Sequence, residues 1–159
     1  MKKTILFFLI IFSFAITSCN QQTLETYNNT IVRAHQKLLF INDNFYEKAT
    51  TYIGKPESKK LLADLIEETK RKVIEDRKAV ENLVPFKDHG LRRTILEMYS
   101  STENAMFFYA ANTDLITKTG NAEKAFKLFE KPLSEFRELD QLIRELQVQY
   151  AYYNKGQLR

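Results

Sequence analysis

Apolar residues recur at alternating spacings of three and four along most of this chain after residue 23, and this periodicity restricts the fold more than any other feature. The first such segment carries its apolar residues at Leu24, Tyr27, Ile31, Ala34, Leu38, Ile41, Phe45 and Tyr52, with one missed position at Lys48. These spacings place the side chains along one face of an α-helix, as in a coiled coil. Because only 4 glycines and 3 prolines interrupt 159 residues, such helices can be long. The sequence therefore predicts an all-α protein.

Four segments of this kind follow one another, and each is ended by residues that stop helices. Gly54 and Pro56 follow the first segment, Pro85 ends the second, and the run Thr119-Gly120-Asn121 closes the third. The predicted helices span about residues 23–53, 57–84, 88–118 and 122–153.

The second and fourth helices differ in how completely apolar residues fill their predicted inward positions. The second has a thinner stripe, in which Thr69 and Asp76 stand at positions that should face inward. In the fourth helix the predicted inward face comprises Ala125, Phe129, Phe136, Leu139, Ile143, Leu146, Tyr150 and Tyr153.

Local signals refine the third and fourth helices. Asp88 stands where a carboxylate can accept bonds from the free N–H groups at the start of the third helix, and Asn121 stands similarly before the fourth. Pro132 lies inside the fourth helix, where it removes one backbone donor and crowds the preceding turn. We therefore expect a kink near residues 129–132, or a break into two helices.

Long helices joined by short turns can cover their apolar faces in few ways. Short connections make neighbouring helices antiparallel, so the prediction is an up-down-up-down four-helix bundle over residues 23–153, formed by one chain. The alternative is a long helical hairpin that dimerises, in which a second chain covers the stripes.

The first eighteen residues have a different character from the rest. Lys2 and Lys3 precede an apolar stretch of 12 residues, from Ile5 to Ile16. A bilayer span needs about 20 such residues, so the stretch is too short for an ordinary transmembrane helix. A positive start followed by a short apolar segment is typical of a secretion signal.

The only cysteine of the chain, Cys19, ends this leader in the sequence Ile16-Thr17-Ser18-Cys19. This run resembles the lipobox of bacterial lipoproteins, with Thr17 where alanine or serine is more usual. The resemblance implies that residues 1–18 are a signal peptide and that Cys19 carries diacylglycerol. It also implies that the new amino terminus is often acylated, for example by palmitate. Several acyl chains hold a protein stably to a membrane. The alternative is a plain secretory signal that leaves a free thiol.

The residue after the lipidated cysteine bears on location. In lipoproteins of well-studied double-membraned bacteria, an aspartate there retains the protein at the inner membrane, and this chain has Asn20. The resemblance therefore favours the outer membrane, with the periplasmic leaflet preferred over the cell surface. Residues 19–22 would form the lipidated start and a short tether.

Charge and ligand patterns narrow the function. Without Lys2 and Lys3, 22 basic residues face 20 acidic ones, and they are intermixed, which argues against a nucleic-acid partner. A di-iron bundle requires a glutamate three residues before its histidine ligands. Neither His35 nor His89 has one. Cysteine-based haem and zinc sites are excluded because the single cysteine is the anchor. We expect no enzyme activity, no cofactor and no metal.

One polar layer is worth testing. Antiparallel pairing about turns near residues 55, 87 and 119 puts His35 level with Asp76, Asp76 level with Tyr99, and Tyr99 level with Asp140. One hypothesis is a metal or small-ligand site formed by His35, Asp76 and Asp140. The other is that Asp76 pairs with His35 at the edge of the core while Asp140 faces solvent.

Aromatic residues give the second candidate site. Phe107 and Phe108 are adjacent in the third helix, and Tyr152 and Tyr153 lie near the end of the fourth, before a frayed tail at residues 154–159. Consecutive side chains on a helix cannot share one face, so some of them would form a surface for a partner. The sequence thus predicts a lipid-anchored, non-enzymatic envelope protein that acts through a protein or ligand surface, or alternatively a periplasmic carrier of a small ligand or metal.

Overall fold

A computed structural model describes residues 22–84 and 86–154. The leader, Cys19 and residues 155–159 lie outside this range. The predicted signal peptide and lipidated cysteine therefore lie outside the described residues. Of the predicted tether at residues 19–22 only Gln22 is described, and of the predicted frayed tail only Asn154.

The described part of the chain is helical and contains no strand, which confirms the all-α prediction. Its α-helices are α1 (Leu24–Thr51), α2 (Lys59–Glu81), α3 (Leu91–Ala111), α4 (Thr113–Thr117) and α5 (Ala122–Tyr153), with a 3-10 turn at Pro56–Ser58 before α2.

Helix α1 begins close to its predicted start because of a reciprocal cap. The Thr26 backbone N–H donates to Thr23 Oγ1 at 3.0 Å, and the Thr23 N–H donates to Thr26 Oγ1 at 2.8 Å. Two of the free donors at the helix start are thereby satisfied.

Asp88 stabilises the start of α3 as predicted. Its carboxylate accepts hydrogen bonds from the backbone N–H of Gly90 at 3.1 Å and of Arg92 at 3.0 Å. The Arg92 guanidinium donates in turn to the carbonyls of Val80 at 3.0 Å and Glu81 at 2.7 Å, the last residues of α2. Asp88 of the loop thus accepts from free donors at the start of α3, and Arg92 of α3 donates to carbonyls at the end of α2.

The prediction of one helix over residues 88–118 is wrong, because the chain leaves helical geometry at Asn112, where φ is −110° and ψ is 12°. Asn112 Nδ2 donates to the Phe108 carbonyl at 2.8 Å, and Thr113 Oγ1 donates to the Tyr109 carbonyl at 3.1 Å. Such side chains compete with the backbone for helix carbonyls. The short α4 then accepts, at the Ile116 carbonyl, the Gly54 N–H of the first turn at 3.0 Å.

Two predictions around α5 also need correction. The helix is continuous from Ala122 to Tyr153 with Pro132 inside it, so the break into two helices is wrong. A proline removes only one intrahelical donor, and the hydrogen bonds before and after it remain available. The prediction that Asn121 caps α5 through its side chain is wrong, because no helix N–H donates to that side chain. Asn121 Nδ2 donates to the Leu115 carbonyl at 3.2 Å.

The core consists of two apolar clusters separated by buried polar residues. One cluster surrounds Tyr27 and Tyr150, and the other surrounds Phe45 and Tyr109. Between them on the three helices α1, α2 and α3 lie Asn42, Thr69 and Thr102, all buried. Asn42 Nδ2 donates to Thr102 Oγ1 at 3.3 Å, so this layer joins α1 to α3 across the core. The inward position predicted for Thr69 is confirmed. The inward position predicted for Tyr153 is wrong, because this side chain is exposed.

Large side chains fill the space between α1 and α5, whose Cα atoms rarely come within 8 Å of each other. The rings of Tyr27 and Tyr150 have centroids 5.7 Å apart, and those of Tyr46 and Phe129 are 6.1 Å apart. We refer to this wider interface as the α1–α5 seam.

The buried Asp88 carboxylate also accepts a hydrogen bond from the Tyr27 hydroxyl. Burial, together with the Asp88 carboxylate, raises the pKa of Tyr27 above its usual range. The neighbouring Tyr150 hydroxyl is buried and has no hydrogen-bond partner among the described residues.

These two tyrosines provide a matched test. Tyr27→Phe removes a donor to a buried carboxylate and is expected to lower the free energy of unfolding by about 1.5–3 kcal/mol. Tyr150→Phe removes a hydroxyl that makes no bond, so the change is expected to be near zero or stabilising. Urea denaturation at pH 7 measures both. Equal losses in the two variants would show that the bond to Asp88 contributes nothing specific.

Candidate functional site

The predicted polar layer is only partly assembled, and it lies at the α1–α5 seam. His35 is buried on α1, and its Nε2 lies 2.7 Å from Oδ1 of Asp140 on α5. Tyr99 is buried on α3, where its hydroxyl donates to the Ala34 carbonyl at 3.2 Å. The structure therefore brings His35 and Asp140 together and gives Tyr99 a structural bond to α1.

Asp76 is not part of this pair. Its Oδ1 accepts a hydrogen bond from Lys37 Nζ at 3.1 Å, on the side of α1 that faces α2. The prediction that Asp76 pairs with His35 while Asp140 faces solvent is therefore wrong. Residues 35 and 37 are two apart, which turns their side chains to different sides of the helix.

Two further side chains complete the surroundings of His35 and Asp140. Gln147 Nε2 lies 3.3 Å from His35 Nδ1. Arg144 Nε donates to both Asp140 oxygens, at 3.1 and 3.0 Å. Both residues lie on α5, so one helix supplies all the polar partners of this histidine.

The protonation state of His35 follows from these contacts. Burial lowers the pKa of His35 below its usual value of 6.5, Asp140 opposes this by raising it, and Arg144 lowers it further. The imidazole is then neutral at neutral pH. The ionised Asp140 can only accept, so we assign the proton to Nε2 and let Nδ1 accept from the Gln147 amide. Every polar atom of the ring is satisfied in this arrangement.

A cleft of about 280 Å³ opens along the same seam. Its polar lining includes Asn42, Tyr46, Arg137, Asp140 and Arg144. Burial raises the pKa of Tyr46, whose hydroxyl lies 3.2 Å from the Tyr109 hydroxyl. These groups offer donors and acceptors to a small polar molecule. Within residues 22–84 and 86–154, no three His, Cys, Asp or Glu side chains are grouped as a metal site would require.

The four predicted surface aromatics lie in three separate places. Phe107 is exposed beside α2, where Lys70 Nζ stands 4.5 Å from its ring centroid. Phe108 points the other way, into a cleft between α3 and α5. Tyr152 and Tyr153 are exposed at the end of α5 and touch each other, with ring centroids 5.7 Å apart. They do not form one continuous surface.

The cleft between α3 and α5 has a volume of about 380 Å³. Its lining includes the apolar residues Phe108, Leu128 and Pro132 and the charged residues Lys127, Lys131 and Glu135. The apolar part of this lining suits a large apolar side chain from a partner.

Sequence reasoning missed Gln147 and Arg144 as partners in the polar layer, and Asn42 as a buried amide. A signal for the first two existed, because Arg144 and Gln147 follow Asp140 by four and seven residues, which places all three along one side of a helix. For Asn42, burial follows from its position four residues after Leu38 and three before Phe45.

Comparison with known proteins adds no relative: no family model, curated protein or solved structure matches this chain. Among the residues that the structure describes, no helix is long and apolar enough to cross a bilayer.

The lowered pKa of His35 predicts a loss of stability in acid. The unfolded chain takes up a proton near pH 6.5 while the folded chain resists it, so stability is complete above this pH. Below pH 6.5 the free energy of unfolding should fall by up to about 1.4 kcal/mol per pH unit until the folded pKa is reached. Urea denaturation between pH 7.5 and 5 measures the slope.

The matched variants use the only two histidines of the chain. His35→Gln keeps a donor for Asp140 but removes the titrating group, so its pH slope should be shallower than in the unaltered protein. His89→Asn changes the exposed histidine, and its slope should stay steeper than that of His35→Gln. A His35→Gln slope as steep as that of the unaltered protein would contradict the assignment.

Proposed function

We propose that this chain is a lipid-anchored, non-enzymatic protein of the bacterial cell envelope that acts through an interaction surface on a helical bundle. The leader and the run Ile16-Thr17-Ser18-Cys19 carry the proposal. The start of α1 at Leu24, five residues after Cys19, supports it, because a folded domain would then begin directly after the anchor.

We further propose that the four long helices form an up-down-up-down bundle within one monomeric chain, with a dimer as the alternative. The seam contacts support this topology. Tyr27 meets Tyr150, His35 meets Asp140, and Tyr46 meets Phe129. Residue numbers rise on α1 while they fall on α5, as expected of antiparallel neighbours. A bend of α5 near Pro132 belongs to the same proposal.

The non-enzymatic assignment is supported by how the titratable groups are used. His35 is held between Asp140 and Gln147, Asp140 also binds Arg144, and Asp76 binds Lys37. Groups paired in this way stabilise helix contacts. We expect no nucleic-acid partner, because nucleic-acid binding needs basic side chains that neutralise phosphates. Here acidic and basic side chains pair along the helices, as in Arg71 with Glu75.

The interaction surface is assigned to the cleft between α3 and α5. The apolar lining at Phe108, Leu128 and Pro132 would accept an apolar side chain of another envelope protein. The alternative is a carrier of a small polar ligand, which the cleft at the α1–α5 seam favours because Arg137, Asp140 and Arg144 line it.

Replacement of the anchor cysteine tests the central part of the proposal. In the Cys19→Ala variant no thioether to diacylglycerol can form, so the protein should leave the membrane fraction and incorporate no labelled palmitate. The matched control is Asn20→Asp, which should stay membrane-bound and move toward the inner-membrane fraction. Retention of Cys19→Ala in the membrane fraction would refute the lipoprotein assignment.

The same membranes test the assigned surface. A photo-crosslinking residue at position 108 of α3 should capture one discrete partner, whereas the same residue at the exposed position 148 of α5, outside the cleft, should not. Loss of the adduct in a Leu128→Glu background supports the cleft. Capture that is equal at both positions would contradict it.

A further inference from the structure

Gln22 is tied to the loop between α2 and α3. The Val84 backbone N–H donates to Gln22 Oε1 at 3.0 Å, and Gln22 Nε2 donates back to the Val84 carbonyl. Because the Gln22 side-chain amide bonds to both the N–H and the carbonyl of Val84, it fixes the position of Gln22 relative to this loop. The described chain therefore starts at the end of the molecule that carries this loop.

This attachment sets how far the molecule can stand from a lipid on Cys19, and the inference rests on the proposed anchor. Cys19 precedes Gln22 by three residues, which span at most about 11 Å when fully extended. A lipidated Cys19 would therefore bring the end at Val84, rather than the sides of the helices, next to the bilayer.

Aliphatic, aromatic and basic side chains are exposed at this end. Val84 is 69% exposed, and Tyr152 and Tyr153 are each 64% exposed. The Tyr153 ring lies 4.5 Å from the ring of His89 in the same loop, centroid to centroid. Lys87, which lies between Val84 and His89 in the sequence, is also exposed. We call Val84, Lys87, His89, Tyr152 and Tyr153 the tether-end surface.

Each residue type of this surface suits the headgroup region of a bilayer. Tyrosine places its ring among acyl chains and its hydroxyl near water, and such residues are enriched at membrane interfaces. Lysine extends its ammonium toward lipid phosphates. The one carboxylate of the loop, Asp88, is buried and bonded to Tyr27, so it presents little negative charge to anionic lipid.

We propose that the tether-end surface lies directly against the phospholipid headgroups, so that the lipid anchor and this surface together hold the bundle end-on to the membrane. The anchor supplies the attachment, and the surface sets the orientation. The opposite end, with α4 and the start of α5, then points away from the bilayer.

The absence of tryptophan from the chain allows a direct test with the full lipidated protein. Tyr153→Trp places a probe in the tether-end surface, and Tyr152→Trp provides a second position there. Phe126→Trp is the matched control, because it is an exposed aromatic near the other end of the same helix, 49% exposed. Each protein is reconstituted into vesicles of phosphatidylethanolamine and phosphatidylglycerol that contain lipid brominated near the headgroup end of its acyl chains.

Bromine should quench tryptophan at 153 or 152 about twofold, because an interfacial ring reaches the upper acyl chains, and should leave tryptophan at 126 unchanged. Equal quenching at 126 and 153 would mean that the bundle lies flat, and would overturn the proposal. A blue-shifted emission at 153 that depends on protein concentration, without quenching, would show a second copy on this surface instead and would also overturn it.

Flotation of the same vesicles separates failure of the surface from failure of the anchor. If the protein floats with the vesicles but neither 152 nor 153 is quenched, the anchor stands and the membrane contact is refuted. If the protein does not float, the lipid anchor fails and the tether-end surface fails with it.

Discussion

The hydrogen bonds accepted by the buried Asp88 carboxylate hold the helices together at one end of this molecule. It accepts the hydroxyl of Tyr27 from α1 and two backbone N–H groups at the start of α3. Arg92, whose N–H is one of those donors, caps the last carbonyls of α2. The carboxylate thus connects α1 to α3, and the Arg92 side chain extends the connection to α2. Hydrogen bonds to a charged group are among the stronger ones available to a protein.

The consequence reaches beyond helix packing. The loop that Asp88 organises also carries Val84, to which Gln22 is bonded, so the position of the first described residue depends on the same loop. At the other end of the molecule, Phe45, Tyr109 and Phe129 stack at centroid distances of 5.3 and 4.7 Å, and the Gly54 N–H donates to the Ile116 carbonyl at 3.0 Å.

Periodicity predicted the helices because burial at spacings of three and four leaves few other structures, and Phe129, Phe136, Ile143 and Tyr150 are buried at every seventh residue of α5. It could not predict the interruption at Asn112, where a side-chain amide competes locally with the backbone. Nor could it choose between Asp76 and Asp140 as the partner of His35. Two carboxylates at the same height are distinguished only by the rotation of each helix about its own axis, and that rotation is set by the packing of all the helices together.

Intramolecular distances between spin labels test the single-chain antiparallel bundle most directly. Cysteines for labelling are introduced at exposed positions 29 and 148, or 29 and 126, in the protein whose only native cysteine is Cys19. A single-chain antiparallel bundle should give one narrow distance for each pair, with the 29–126 distance clearly longer, because residue 126 lies about 30 Å further along the bundle axis than residue 148. A 29–126 distance equal to or shorter than the 29–148 distance would contradict it, as would two distances for one pair, which a dimer of hairpins produces.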